Sequence, residues 1–182
     1  MKQILFIHGG GDDGYGSDSK MLPSLEQALG ADFKIHYPKM PEVETNALAT
    51  LWLEQIDIEV SGFYADLILV GHSLGASMLL KYLSEFKIPG YIKGVFLIAP
   101  PFWNGTQDWI QPLKLKDNFA EKLPKDLPVF FYQTRDDTIV PYEQFARYKI
   151  EVPRATFREI PSGGHQFNND LSIVAMDIIA MK

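Results

Sequence analysis

Residues 67–80 read LILVGHSLGASMLL and place Gly71, Ser73 and Gly75 between a predicted strand and a predicted helix. Residues 67–70 are continuously apolar, which is typical of a strand covered on both faces of a parallel sheet. On a sharp turn between strand and helix, a serine hydroxyl stands clear of the sheet, and small residues two positions away on each side prevent clashes across the turn. Ser73 is therefore a candidate nucleophile, with capping of the helix as the alternative role.

The segments on either side of this turn repeat the same alternation. Short apolar runs rich in β-branched or aromatic residues alternate with longer stretches of helical periodicity, which predicts a parallel sheet covered by helices. The predicted strands are residues 3–8, 33–37, 67–70, 94–99, 129–133 and 156–160. The predicted helices are residues 19–29, 44–59, 75–86, 141–148 and 171–180. We therefore expect a three-layer α/β/α sandwich with a mostly parallel six-stranded sheet, forming a single domain over residues 1–182.

Two later loops carry the other groups that a serine nucleophile needs. Residues 135–141, RDDTIVP, follow one predicted strand, and residues 161–165, PSGGH, follow the next. Serine, aspartate and histidine then each lie at the carboxyl end of a parallel strand, the edge at which α/β sheets bind ligands. His165 would take the proton from Ser73, and one of the two adjacent aspartates would hold the imidazole in the required tautomer. The presence of the partner groups disfavours the alternative that His165 is a loop histidine without a task.

A glycine-rich stretch after the first predicted strand permits a different interpretation. Residues 6–16 read FIHGGGDDGYG, and their G-x-G-x-x-G spacing fits a dinucleotide-binding loop. Such a site needs an acidic residue near the end of the next strand, but the first acid there, Glu42, lies beyond a proline. Asp12 and Asp13 would also repel a diphosphate in this loop. The sequence therefore disfavours nucleotide binding.

Taken together, these segments resemble the small α/β-hydrolases, the compact serine hydrolases that include the retinoblastoma-binding serine hydrolase and its bacterial relatives. The resemblance runs over essentially the whole chain. It rests on His8 to Gly11, on residues 37–41 (YPKMP), on the serine turn, on the Asp-Asp-x-x-Val-Pro loop and on Gly164-His165. It implies a minimal α/β-hydrolase fold without a lid domain and a rather open site. It assigns the acid to Asp137 and leaves Asp136 as the fallback.

The resemblance also assigns roles to the first glycines and to a later aromatic stretch. It implies an oxyanion hole made by the backbone N–H groups of Gly10 and Leu74, with Gly9 or Gly11 as near alternatives to Gly10. The alternative is that these glycines only form a tight turn. Relatives place acyl-pocket residues after the strand next to the serine turn. There this chain has three aromatic residues, which would line an apolar pocket or simply pack a long loop: Phe102, Trp103 and Trp109.

Composition excludes several other classes of protein. The net charge of −6 argues against nucleic acid or anionic lipid as a partner, because either would need a basic face. The chain has no cysteine, which excludes disulfides and thiolate chemistry and suits a reducing compartment. No apolar run approaches the length of a membrane span, and the N-terminal apolar run lacks the features of a signal peptide. We expect a cytoplasmic protein with no membrane association. The spacing of His8, His36 and His72 predicts no metal site.

The predicted activity is the hydrolysis of a small carboxylic ester through an acyl-enzyme on Ser73, with no cofactor. The other open interpretation is a hydrolase-fold module that binds a protein partner and has weak or vestigial catalysis. An amidase, peptidase or acyltransferase would use the same residues and differ only in substrate or acceptor.

Overall fold

The computed structural model describes residues 1–42 and 48–181, and its six strands form one parallel sheet. In chain order the strands are β1 (Lys2–Ile7), β2 (Phe33–His36), β3 (Leu67–His72), β4 (Ile92–Ile98), β5 (Val129–Thr134) and β6 (Thr156–Ile160). Their order across the sheet is β2-β1-β3-β4-β5-β6, which places β3 at the centre. The predicted α/β architecture is confirmed, and each predicted strand lies within two residues of the observed one.

Helices cover both faces of this sheet. They are α1 (Gly14–Ser19), α2 (Leu22–Leu29), α3 (Leu48–Ser61), α4 (Leu74–Glu85), α5 (Phe119–Lys122), α6 (Tyr142–Glu151) and α7 (Ser172–Ala180). The predicted helix over residues 19–29 was wrong at its start, because α1 ends at Ser19 and α2 begins anew at Leu22, with a proline in its first turn. Residues 44–47 of another predicted helix lie outside the described residues. The short α5, within the irregular stretch of residues 100–128, was not predicted.

Two apolar cores lie on opposite faces of the sheet. Successive residues of β3 point to opposite faces, so Leu69 packs into the core under α3, α4 and α6, whereas Val70 packs into the core under α2 and α7. All six residues of β3 are buried. This two-sided burial explains why the central strand is continuously apolar, and it gives the turn after β3 a rigid support. None of the helices in the described part of the chain has the length and apolar character needed to cross a membrane.

Candidate active site

The turn of residues 71–75, here called the serine turn, holds Ser73 in a strained conformation. Ser73 has φ 51° and ψ −121°, a region that residues other than glycine rarely occupy. Its N–H donates to the carbonyl oxygen of Ile98 on the neighbouring strand at 2.8 Å. Its side chain makes no capping hydrogen bond to α4, although Ser73 precedes the first residue of that helix. The capping alternative therefore lacks support, and the hydroxyl is left for another role.

The two glycines of the serine turn are required by close backbone contacts. A Cβ atom on Gly75 would lie 2.3 Å from the carbonyl oxygen of Ile7 and 2.4 Å from that of His8. A Cβ atom on Gly71 would lie 2.8 Å from the Cα atom of Ala76. Because the obstructing atoms are backbone atoms, no side-chain rotation could relieve these clashes. The G-x-S-x-G spacing thus reflects how tightly β3 turns into α4 against the end of β1.

His165 and Asp137 form the central contact of the site. The N–H of His165 Nδ1 donates to Asp137 Oδ2 at 2.8 Å, and the Asp137 side chain is fully buried. With its proton on Nδ1, the imidazole has an unprotonated Nε2, the atom that a general base uses. The ring itself is only partly buried. This pairing fixes the orientation of the His165 ring at the carboxyl edge of the sheet.

The buried Asp137 carboxylate accepts three further hydrogen bonds besides that from His165. Its Oδ1 accepts the backbone N–H groups of Ile139 and Val140 at 2.8 and 2.9 Å, and its Oδ2 also accepts Gln133 Nε2 at 2.9 Å. Burial opposes ionisation, but the hydrogen bonds and the histidine outweigh it and hold the pKa of Asp137 below its usual range. Asp137 therefore remains a carboxylate at neutral pH.

The neighbouring aspartate contacts a different part of the site. Asp136 is exposed, and its carboxylate accepts the N–H groups of Gly163 at 3.0 Å and Gly164 at 2.9 Å. These hydrogen bonds hold the pKa of Asp136 below its usual value. Gly164 has φ 59°, a left-handed conformation that glycine adopts without strain. Asp136 braces residues 161–166, here called the histidine loop, whereas the carboxylate hydrogen-bonded to the imidazole is that of Asp137.

His165 lies beside the serine turn because it contacts His72, the residue before Ser73. The ring centroids of His72 and His165 lie 4.7 Å apart, and His72 Nε2 lies 3.0 Å from the backbone oxygen of His165. Ser73 follows His72 directly. No hydrogen bond joins Ser73 Oγ to the His165 ring within residues 1–42 and 48–181. Hydrogen bonds of this kind are often long before a substrate binds.

Residues 9–14, here called the glycine loop, pack against the serine turn. A Cβ atom on Gly10 would lie 2.6 Å from Leu74 Cδ2. The N–H of Gly9 donates to Asp18 Oδ2 at 2.7 Å, so it is not free to bind a ligand. By contrast, the N–H groups of Gly10 and Leu74 donate to no protein acceptor among the described residues. Of the predicted oxyanion donors, only Gly9 is thus engaged in the described part of the chain, and the role of Gly10, or of its alternative Gly11, together with Leu74 stays a prediction.

His8 fixes the start of the glycine loop. Its Nε2 accepts the N–H of Met40 at 2.9 Å, and its Nδ1–H donates to the oxygen of Gly9 at 2.6 Å. Burial lowers the pKa of His8, which keeps the ring neutral. The tautomer is set by these two partners, so His8 ties the glycine loop to the segment that contains Met40.

Two clefts open near these elements. One, of about 620 Å³, is bordered by the glycine loop, Lys39, Met40 and Trp52. The other, of about 360 Å³, is lined by Phe102 and Trp103 together with residues of the segment 114–119 and of α6.

Of the predicted aromatic pocket residues, Trp103 is hydrogen-bonded to α4, whereas Phe102 packs against Tyr148 of α6. Trp103 Nε1 donates to Ser77 Oγ at 3.0 Å, one helical turn after the serine, and Ser77 Oγ donates to the oxygen of Leu74 at 2.9 Å. Trp109 packs edge-on against Trp103 at 5.9 Å and is 57% exposed. Their role in substrate binding stays a prediction.

Sequence reasoning missed two residues of this site. Gln133 donates to Asp137, and Asp18 binds both the glycine loop and His72. Gln133 lies at a buried position of β5, where a polar residue in an apolar strand is the signal that could have identified it. Asp18 lies in the polar run GSDSK, which gives no such signal. No group of three or more metal-binding side chains occurs in the part of the chain that the structure describes.

Comparison with known proteins identifies the family of the chain. The serine hydrolase family model matches residues 14–172, which is most of the chain. The chain belongs to the serine hydrolase family. This serine hydrolase is 24% identical over 193 residues to YdeN of Bacillus subtilis (strain 168), and the match spans 98% of the chain and 92% of YdeN.

Solved structures agree on the α/β-hydrolase fold of this serine hydrolase. The crystal structure of the B. subtilis ydeN gene product matches it with a TM-score of 0.79 at 22% identity, covering 100% of this chain and 98% of that one. CarC, a serine hydrolase involved in carbazole degradation, matches with a TM-score of 0.73 at 13% identity, covering 100% and 92%. Est1E from Butyrivibrio proteoclasticus, solved with ferulic acid, matches with a TM-score of 0.73 at 16% identity, covering 98% and 86%.

Proposed function

We propose that this serine hydrolase cleaves small carboxylic esters, with Ser73 as nucleophile, His165 as general base and Asp137 as the acid that orients the histidine. The observation that carries the proposal is the 2.8 Å hydrogen bond from His165 Nδ1 to the buried carboxylate of Asp137, beside a serine with φ 51°. A buried carboxylate that orients a partly exposed imidazole, close to a serine held in a strained turn, is the kind of arrangement expected of an active site.

In the first half of the reaction, Ser73 Oγ attacks the carbonyl carbon of the ester and its proton moves to His165 Nε2. Asp137 stabilises the resulting imidazolium without taking its proton. The carbonyl oxygen becomes an oxyanion, which the N–H groups of Gly10 and Leu74 would bind. The C–O bond to the alcohol then breaks, and His165 donates its proton to the departing alkoxide. The product of this half-reaction is an acyl-enzyme on Ser73.

In the second half, water attacks the acyl carbon while His165 accepts a proton from it. The bond to Ser73 Oγ breaks, the serine recovers its proton from His165 and the carboxylic acid leaves. The chain's own residues supply each proton transfer, so the proposal includes no cofactor. The partly exposed imidazole supports access by a small ester from solvent, and the cleft bordered by the glycine loop reaches the proposed oxyanion donor Gly10.

Intact-mass detection of a fluorophosphonate adduct at neutral pH tests whether Ser73 is activated. We expect one adduct on the wild type and none on Ser73→Ala. Ser162→Ala is the matched control, because Ser162 is an exposed serine of the histidine loop and its loss should leave the label in place. Hydrolysis of p-nitrophenyl acetate, lost in Ser73→Ala and kept in Ser162→Ala, would then assign the turnover to the same residue. Folded wild type that takes no label would contradict the proposal and favour the protein-binding alternative.

A further inference from the structure

A second carboxylate–histidine pair lies beneath the proposed catalytic one. Asp18, in α1, and His72, at the end of β3, are 54 residues apart in the chain, yet Asp18 Oδ2 lies 2.8 Å from His72 Nδ1. Both side chains are only 1% exposed. The proposed reaction uses neither of them. A buried pair of ionisable groups is costly to desolvate, so its polar atoms need further partners.

Those partners are the two loops that flank Ser73. On the Asp18 side, Oδ2 also accepts the N–H of Gly9 at 2.7 Å, and Oδ1 accepts Gln166 Nε2 at 3.3 Å. On the other side, His72 Nε2 contacts the backbone oxygen of His165 at 3.0 Å. The pair therefore links the glycine loop, the serine turn and the histidine loop through side chains that solvent does not reach.

The hydrogen-bonding partners determine how many protons the His72 ring carries. A backbone carbonyl oxygen can only accept, so His72 Nε2 must carry a proton to bond His165. Asp18 Oδ2 already accepts the N–H of Gly9, and it serves both neighbours best as a carboxylate, which requires a proton on His72 Nδ1 as well. Burial opposes ionisation of Asp18, but the hydrogen bonds from His72, Gly9 and Gln166 outweigh it and hold the pKa of Asp18 below its ordinary value.

We infer that Asp18 and His72 form a buried carboxylate–imidazolium pair that positions the glycine loop and the histidine loop around Ser73. Both are positioning residues: they touch neither substrate nor reacting atoms, and they act through Gly9 and His165. The catalytic part of this inference rests on the proposed function. The charges of the pair cancel, so it presents no net charge to the His165 ring, whose centroid is 4.7 Å from that of His72.

The titratable groups around His72 are few. Asp18 faces it from α1 and His165 faces it from the histidine loop. His8, from the end of β1, is the third titratable neighbour, and burial lowers the pKa of His8 and keeps that ring neutral. Gln166 is the uncharged neighbour on the carboxylate. Asp18 is therefore the anion that stabilises a charged His72.

The protonation state of His72 can be measured directly by nitrogen-15 NMR of the histidine rings. At about pH 8 an ordinary histidine is neutral. We expect one wild-type ring to keep protons on both nitrogens at this pH, and its signals to disappear in His72→Gln, which assigns them. A neutral His72 ring at about pH 8 would overturn the inference, whatever the activity of the protein.

The isosteric variant Asp18→Asn tests the positioning role. If the new amide oxygen takes the place of Oδ2, it keeps Gly9, but the His72 ring becomes neutral and loses one of its two donors. If the amide nitrogen takes that place, it opposes the N–H of Gly9. In either case the pair loses one of the hydrogen bonds that hold the loops around Ser73. We expect kcat on p-nitrophenyl acetate to fall about 10- to 100-fold, with KM within about twofold of the wild-type value.

Asp32→Asn is the matched control, because Asp32 is an exposed aspartate outside the site, and it should leave kcat unchanged. A folded Asp18→Asn protein with wild-type kcat would overturn the inference. An Asp18→Asn protein that cannot fold leaves the decision to the ring measurement on the wild type. Wild-type protein without any ester turnover would instead contradict the proposed function. In that case the His72 ring and the shift of the Gly9 amide signal in Asp18→Asn still decide whether the pair holds the loop.

Discussion

Asp136 and Asp137 are adjacent in the chain, yet their carboxylates hold different parts of the histidine loop. Asp137 accepts the imidazole of His165 itself, whereas Asp136 accepts the backbone N–H groups of Gly163 and Gly164. One aspartate thus orients the ring and the other braces the loop that carries it. The two positions permit a direct test, because replacing either aspartate by asparagine removes one negative charge from residues 135–141.

We expect Asp137→Asn to lower kcat about 10³- to 10⁴-fold, because an amide in place of the carboxylate no longer selects the His165 tautomer or stabilises the imidazolium. Asp136→Asn should lower kcat by less than about tenfold, because the asparagine oxygen can still accept an N–H from the histidine loop. Steady-state kinetics on p-nitrophenyl acetate compare the two. If Asp136→Asn proved the more damaging change, the assignment of the acid to Asp137 would be wrong.

Acid should destabilise the fold through Asp18 and Asp137. The pKa of each is lowered in the folded state, so as pH falls the unfolded chain binds these protons first. The stability that they contribute is fully present above the unfolded pKa of about 4 and is lost as pH falls through the folded values. Urea unfolding between about pH 2.5 and 6 should show the free energy of unfolding rising with pH.

The same titration on Asp137→Asn should give a shallower slope of unfolding free energy against pH, because one of the contributing carboxyl groups is absent. Asp32→Asn serves as the control, since Asp32 is exposed, and it should keep the wild-type slope. An unchanged slope in Asp137→Asn would mean that folding does not lower the pKa of Asp137.

The serine turn should tolerate no added methyl group at Gly75. The Cβ atom of an alanine there would lie within 2.4 Å of the backbone oxygens of Ile7 and His8, at the end of β1, so either the strand or α4 must shift. We expect Gly75→Ala to lower the free energy of unfolding by about 3 kcal/mol. Gly90→Ala is the matched control, because nothing lies within 4 Å of its Cβ position. That variant should stay within about 1 kcal/mol of the wild type in the same thermal or urea unfolding experiment.

The fold was predictable because the strands are marked by local sequence. The central strand β3 is buried on both faces and therefore reads as an unbroken apolar run. The start of the first predicted helix was harder to place, since residues 14–22 form one short helix and the beginning of another, and the boundary depends on how the glycine loop packs.

The site was predictable only where its residues stand in ordered motifs. Ser73, His165 and the two aspartates end strands or follow them, so the topology of a parallel sheet brings them to one edge. Asp18 does not follow a strand. It is buried against His72, 54 residues away in the chain, and no pattern around Asp18 in the sequence identifies that partner. Contacts of this kind depend on the arrangement of the whole sheet and not on local sequence.

The aromatic residues after β4 provide the last test, on substrate chain length. Trp109 is 57% exposed and packs on Trp103, which is hydrogen-bonded to α4 one turn beyond Ser73. If this surface receives an acyl chain, Trp109→Ala should raise KM for an octanoyl ester about tenfold and leave KM for an acetyl ester unchanged, because only the longer chain can bury apolar area there. Tyr64→Ala is the control, since Tyr64 is 94% exposed and precedes β3 at the opposite edge of the sheet. Equal KM values for wild type and Trp109→Ala across p-nitrophenyl esters of two to eight carbons would show that these aromatic residues only pack the loop. A rise that grows with chain length, absent in Tyr64→Ala, would make them the acyl pocket.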